Sequence, residues 1–157
     1  MAYRNKTYVA FDGDTDIHYY RLMCAWKQND HTEFNFYNAH DLNYARDTSL
    51  KLSIKAQLSE RMSNTSVFVL LIGQNTRYLY KFVRWEIEQA ITHKLPIIGV
   101  NLNGYREQDA ERCPAILRNE LAIHISFNAA MLQHALENWP QYYATLRNQG
   151  KNRAIFL

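Results

Sequence analysis

The segment Ser66–Ile72, SVFVLLI, is the most restrictive stretch of this chain. From Val67 to Ile72 every residue is apolar, and Gly73 closes the run. A half-exposed strand would alternate polar and apolar residues. An unbroken apolar run between turn signals suits a strand buried on both faces, as in a parallel sheet covered by helices. The run is far too short to cross a bilayer, which takes about 20 apolar residues.

The flanking sequence repeats this logic. Thr7–Phe11 (TYVAF) reads as a first strand, stopped by Asp12-Gly13. Tyr19, Leu22, Met23 and Trp26 then mark one face of a helix over about 16–28, with Asp16 as its N-cap. Phe34–Tyr37 is a short second strand. After a polar stretch, Leu50, Ile54, Leu58 and Met62 recur every four residues and predict a second helix. A third helix is expected from Tyr78 to His93, a fourth strand over Pro96–Val100 and a fifth over Ile123–Phe127. Met131, Leu132, Ala135, Leu136 and Trp139 stripe a last helix, expected to break at Pro140. Strands spaced by helices imply right-handed βαβ units around a parallel sheet, an α/β fold. Ligands in such sheets bind beyond the carboxyl ends of the strands, near the switch in strand order. That rule points to the loops after Phe11, Tyr37, Gly73 and Val100.

Composition narrows the class. A chain of 157 residues can bury roughly 70% of its unfolded surface and needs no metal or disulfide to hold a core. The net charge is +3 without a Lys/Arg cluster, so neither nucleic acid nor a membrane is an expected partner. MAYRNKTYVAFDGD lacks a signal-peptide apolar stretch, and a cytoplasmic location is expected. Cys24 and Cys113 then read as free thiols. The six histidines show no metal spacing, and no metal site is expected.

On the third helix, at roughly 100° per residue, Leu79, Phe82, Val83, Ile87 and Ala90 share one face. Glu86 falls inside that stripe, while Glu88 falls opposite it. A carboxylate facing a sheet is costly unless paired, protonated or at a cleft edge, and desolvation there raises its pKa, as active sites often require. The alternative is a boundary Glu paired with Lys or Arg. Asp12, Asp14 and Asp16 form a second cluster, in the loop after the first strand. It is not an EF-hand, because Ile17 and Met23 stand where Gly and Glu are needed. It resembles a DxDxT phosphatase signature, but Asp16 holds the Thr or Val position. No GxGxxG, GxxxxGK[ST] or GxSxG occurs.

The segments TYVAFDGDTD, SVFVLLIGQNT and FVRWEIEQAITHKLPIIGV resemble bacterial TIR-like domains, most closely the TIR-like subunit of the Thoeris antiphage system. The resemblance runs from about Lys6 to Trp139. It implies a flavodoxin-like three-layer fold with a five-stranded parallel sheet of order 2-1-3-4-5. Residues 1–140 would form the TIR-like domain, and 141–157 a helical tail packed on or extending it. Enzymatic members cleave the nicotinamide–ribose bond of NAD, and Thoeris-type members release a cyclic ADP-ribose isomer that activates a separate effector. The family's catalytic Glu follows an aromatic by four residues, as WxxxE. Phe82-Val83-Arg84-Trp85-Glu86 occupies that motif, with Phe82 in place of the usual Trp.

The resemblance therefore implies an NAD glycohydrolase or ADP-ribosyl cyclase with Glu86 catalytic. Phe11, Asp12, Asp14, Phe82 and Trp85 would bind the substrate. NAD would be substrate, and no cofactor is implied. The implied partners are the downstream effector, reached through a diffusible nucleotide, a second copy of the chain and a phage-derived trigger. The loop Asn38–Thr48 would close over substrate and mediate self-association. The competing readings are a non-enzymatic TIR-like scaffold and a nucleoside deoxyribosyltransferase-like enzyme.

Overall fold

The computed structural model describes residues 6–29, 35–38, 51–79 and 82–151. Five strands, β1 (Lys6–Ala10), β2 (Asn35–Asn38), β3 (Val67–Ile72), β4 (Ile97–Asn101) and β5 (Ala122–Ser126), form one sheet. Every pairing is parallel, in the order β2-β1-β3-β4-β5. The described helices are α1 (Ile17–Asn29), α2 (Lys51–Ser63), α3 (Val83–Thr92) and α4 (Ala129–Asn148). Two single 3-10 turns, Thr76–Tyr78 and Ala115–Leu117, lie in the connections.

The apolar runs become the centre of the sheet, and every residue of β3 and β4 is buried. Because side chains alternate across a strand, β3 feeds two cores. Val67, Val69 and Leu71 join Val9, Phe11, Ile123 and Ile125 beneath α1 and α4. Phe68, Leu70 and Ile72 join Tyr8, Ala10 and Ile97 beneath α2 and α3. Gly99 of β4 pairs with His124 of β5. A Cβ at Gly99 would lie 2.7 Å from His124 Nδ1, so the glycine makes room for a fully buried imidazole.

Three elements depart from the sequence reading. Among the described side chains of α1, Met23 of the expected stripe is buried and Tyr19 and Trp26 pack against the same core, but Leu22 is 46% exposed and Tyr20 is buried in addition. Tyr20 stacks on Phe11, at 5.0 Å between centroids. The third helix begins at Val83 rather than Tyr78. Thr76 Oγ1 accepts from Gly73 N–H at 2.8 Å and donates to the Leu71 carbonyl at 3.3 Å. This turns the chain sharply after β3, and Leu79 (φ −88°, ψ 80°) lies outside helical geometry.

The last helix does not break at Pro140; α4 runs through it to Asn148. An interior proline costs about 3 kcal/mol. Trp139, Tyr143 and Leu146 are all buried in the core under α4, at about 1.5–3 kcal/mol per large apolar side chain, which outweighs the lost bond. Asn128 starts the helix, its Oδ1 accepting from the N–H groups of Ala130 and Met131. No helix among the described residues is long and apolar enough to cross a membrane.

Candidate functional site

Glu86 lies in the first turn of α3 and is 0% exposed. The helical stripe faces the sheet, and Glu86 is carried inward with Val83, Ile87 and Ala90. Glu88, on the outer face, pairs with Arg84 at 3.2 Å. The first helical turn favours a negative charge through the unsatisfied N–H groups there.

One partner of Glu86 is an aromatic hydroxyl. Tyr8, on β1, donates its hydroxyl to Glu86 Oε2. Tyr8 stacks on Phe68 of β3, with centroids 5.6 Å apart and planes at 18°. Burial, then the adjacent Glu86 carboxylate, pushes the Tyr8 hydroxyl far above its ordinary pKa, and the charge of Arg61 opposes this only weakly. The phenol therefore stays protonated and acts as a donor. Tyr8 was not among the residues read from sequence. The alternation in TYVAF put Tyr8 and Ala10 on one face, but nothing local indicated what that face meets.

Phe82 is the N-cap residue of α3 and is buried in the same core. Trp85, half-buried, packs against this core and carries the Lys55 ammonium 5.4 Å from its ring centroid. Phe82, Trp85 and Glu86 thus share the α3 side of the sheet. Phe11 lies on the opposite face, against Tyr20.

The loop after β1 is ordered by its own carboxylates. Asp12 is buried; its Oδ1 accepts from Asp14 N–H at 3.0 Å and its Oδ2 from the Thr15 hydroxyl at 2.6 Å. Asp14 itself is exposed. The Asp12 carbonyl accepts from Asp16 N–H at 2.8 Å. Asp16 is also buried, and its Oδ2 has no hydrogen-bond partner among the described residues. Its carboxyl lies against Gly73, where a Cβ would come within 2.2 Å of Oδ2. Burial first, and Asp12 second, raise the Asp16 pKa. Asp16 thus ties the loop after β1 to the loop after β3, where the strand order changes direction. The sequence reading had given it a capping role and a place in the carboxylate cluster after the first strand, without this link to Gly73. The loop at 39–50, expected to close over substrate, lies outside the described residues.

Both cysteines are free. Cys113 is buried, and its thiol is pushed up to about 12 by desolvation, so it stays protonated and inert. Among the described residues no cluster of His, Cys, Asp and Glu could hold a metal ion. What Glu86 can do chemically is present a carboxylate, held by a neutral donor, in a region closed to water.

A family model for the TIR-like domain of Thoeris protein ThsB matches residues 8–107. The matched span runs from β1 through β4 and includes Tyr8, the Asp12 loop and Glu86. A comparison with curated proteins finds no match.

Proposed function

The chain belongs to the TIR-like domain family of Thoeris protein ThsB, a family tied to defence, and from this membership we propose that it cleaves NAD and releases nicotinamide with a cyclic ADP-ribose isomer. The observation that carries the proposal is Glu86, a sheet-facing carboxylate held by the Tyr8 hydroxyl at the family's motif position. The product would activate a separate effector.

In this reaction the C1–N bond of the nicotinamide riboside breaks. Nicotinamide leaves with the electron pair, and positive charge develops on the ribose C1. The Glu86 carboxylate stabilises that charge and hydrogen-bonds the ribose hydroxyls, as glycosidase carboxylates do. Tyr8 orients the carboxylate. Phe82 and Trp85, on the same side of the sheet as Glu86, would offer flat apolar surfaces to a nicotinamide or adenine ring, and Asp12 and Asp14 would contribute from the loop after β1, whereas Phe11, on the opposite face, would not reach that ring. A nucleophilic atom of the same ADP-ribose then attacks C1 and loses a proton. A site closed to water favours this attack over hydrolysis.

One observation favours a second reading, a non-enzymatic scaffold. Glu86 is wholly buried and already engaged by Tyr8, as a structural core pair would be. Mass spectrometry of nucleotides separates the two, using cells that express the wild type or Glu86→Gln, with and without phage. A cyclic ADP-ribose isomer in infected wild-type cells, absent from the variant, supports the enzyme. Full NAD turnover by Glu86→Gln refutes the assignment, and unchanged nucleotides under every condition favour the scaffold.

A further inference from the structure

A second feature lies apart from Glu86, on the β4 side of α3. A cleft of about 630 Å³ opens between the Thr76–Tyr78 turn, the side of α3 that carries Val83, Arg84 and Ile87, and the Ala115–Leu117 turn. Its volume is within the usual range for small-molecule sites. Val83, Ile87 and Ile116 give it an apolar lining, and three guanidinium side chains, Arg77, Arg84 and Arg118, border it.

The arginines differ in their partners. Arg84 pairs with Glu88. Arg77 donates instead to the carbonyl of Glu111 and to the Tyr78 hydroxyl, and Arg118 donates from Nε to the carbonyl of Cys113 at 3.1 Å. Neither Arg77 nor Arg118 forms an ion pair among the described residues. The Arg77 Nε, shut off from solvent, has no hydrogen-bond partner among them either. Two positive charges are thus fixed in place by backbone carbonyls without being neutralised.

The loop that supplies those carbonyls is itself built. Asp109 is buried; its Oδ1 accepts from the N–H groups of Glu111 and Arg112, at 2.8 and 3.0 Å. Its Oδ2 accepts from the Asn103 amide at 2.7 Å. Burial works against the charge on Asp109, but these hydrogen bonds outweigh it and hold the carboxyl below its ordinary pKa. The Asp109 carbonyl also accepts from Cys113 N–H at 3.1 Å. Residues 109–113 therefore form a fixed platform, with Arg77 anchored to its middle at the Glu111 carbonyl and Arg118 to its C-terminal end at the Cys113 carbonyl.

Guanidinium groups match phosphate oxygens in planar, two-pronged geometry. The ring of Tyr78, 53% exposed, lies at the border with the Arg77 guanidinium 4.7 Å from its centroid. We propose that this cleft is a binding site for a nucleoside phosphate, with the phosphates on Arg77 and Arg118 and the base against the apolar lining and Tyr78. Glu86 does not line this cleft, and the proposal does not depend on NAD turnover.

The test is calorimetric titration of the purified full chain with ADP, adenosine and inorganic phosphate, alongside methyl NMR of Val83, Ile87 and Ile116. ADP binds at least tenfold more tightly than adenosine or phosphate and shifts those methyls. Arg77→Gln/Arg118→Gln weakens ADP at least tenfold. Ile116→Trp, which fills the cleft and keeps all three arginines, does the same and covers the case in which the double variant fails to fold. Glu86→Gln leaves ADP affinity within twofold, so failure of the NAD reading and failure of this site are separable. The proposal is overturned if ADP does not bind, if Ile116→Trp binds it as the wild type does, or if phosphate alone binds as tightly as ADP. Loss of ADP binding in Glu86→Gln with retention in the arginine variant also overturns it.

Discussion

The hydroxyl of Tyr8 on β1 donates to Oε2 of Glu86 on α3, joining residues 78 positions apart in the chain. Both side chains are fully buried. The contact exists only when α3 is seated on the sheet, so it couples the candidate catalytic group to the packing of the whole α3 layer.

Tyr8→Phe deletes the donor while preserving the ring stack on Phe68. Leaving a buried acceptor short of its partner costs about 1–3 kcal/mol, to be read from urea unfolding. A double-mutant cycle with Glu86→Gln should give a coupling of about 0.5–3 kcal/mol. Strictly additive losses would mean that the hydroxyl and the carboxylate do not stabilise each other.

Glu86→Gln keeps the shape of the side chain and removes its charge. NAD cleavage should fall by about 100-fold or more, the usual effect of removing one preorganised electrostatic group. The assay is nicotinamide release, with far-UV circular dichroism to confirm that the fold is retained.

His124 makes stability depend on pH. Its ring nitrogens have no hydrogen-bond partner among the described residues, and burial lowers its pKa from 6.5 to about 4. As pH falls, the unfolded chain takes up this proton near pH 6.5, while the folded chain does not until about pH 4. The unfolded state therefore binds more protons in that window, and stability declines from pH 6.5 to pH 4, by about 3 kcal/mol from this group. Urea unfolding of wild type and His124→Gln at pH 7 and pH 4.5 checks it: the variant should lose less stability across the interval.

Gly73→Ala drives a methyl into the Asp16 carboxyl, 2.2 Å from Oδ2. Overpacking of this kind costs about 1–3 kcal/mol. Adding Asp16→Ala removes the obstacle, so the double variant should melt above Gly73→Ala alone. A lower melting temperature for the double variant would contradict the close approach.

The helix beyond Pro140 should carry stability. Leu146→Ala, in the core under α4, should cost about 2–5 kcal/mol. Tyr142→Ala, at 52% exposed, should change stability by no more than about 0.5 kcal/mol. Thermal unfolding of the two variants side by side tests this contrast.

The family, the α/β class and the parallel sheet were legible in the chain because their signals are local. Val67–Ile72 has no polar face to offer water, and the buried strand β3 follows from that alone. The inward placement of Glu86 was legible too, because helical periodicity fixes direction relative to Val83, Ile87 and Ala90. Three things depended on the assembled molecule. Tyr8 meets Glu86 only when β1 and α3 are packed, and no spacing along the chain encodes a contact across 78 positions. Pro140 disfavours a helix locally, yet α4 continues because Trp139, Tyr143 and Leu146 find a core made by distant strands. Nothing in the sequence marked Arg77 or Arg118; the Asp109 platform brings carbonyls to both. The sequence by itself determined what each segment must bury, since burial follows from the side chains of that segment. The tertiary structure decided which polar groups meet inside, since that depends on where separate segments come to rest.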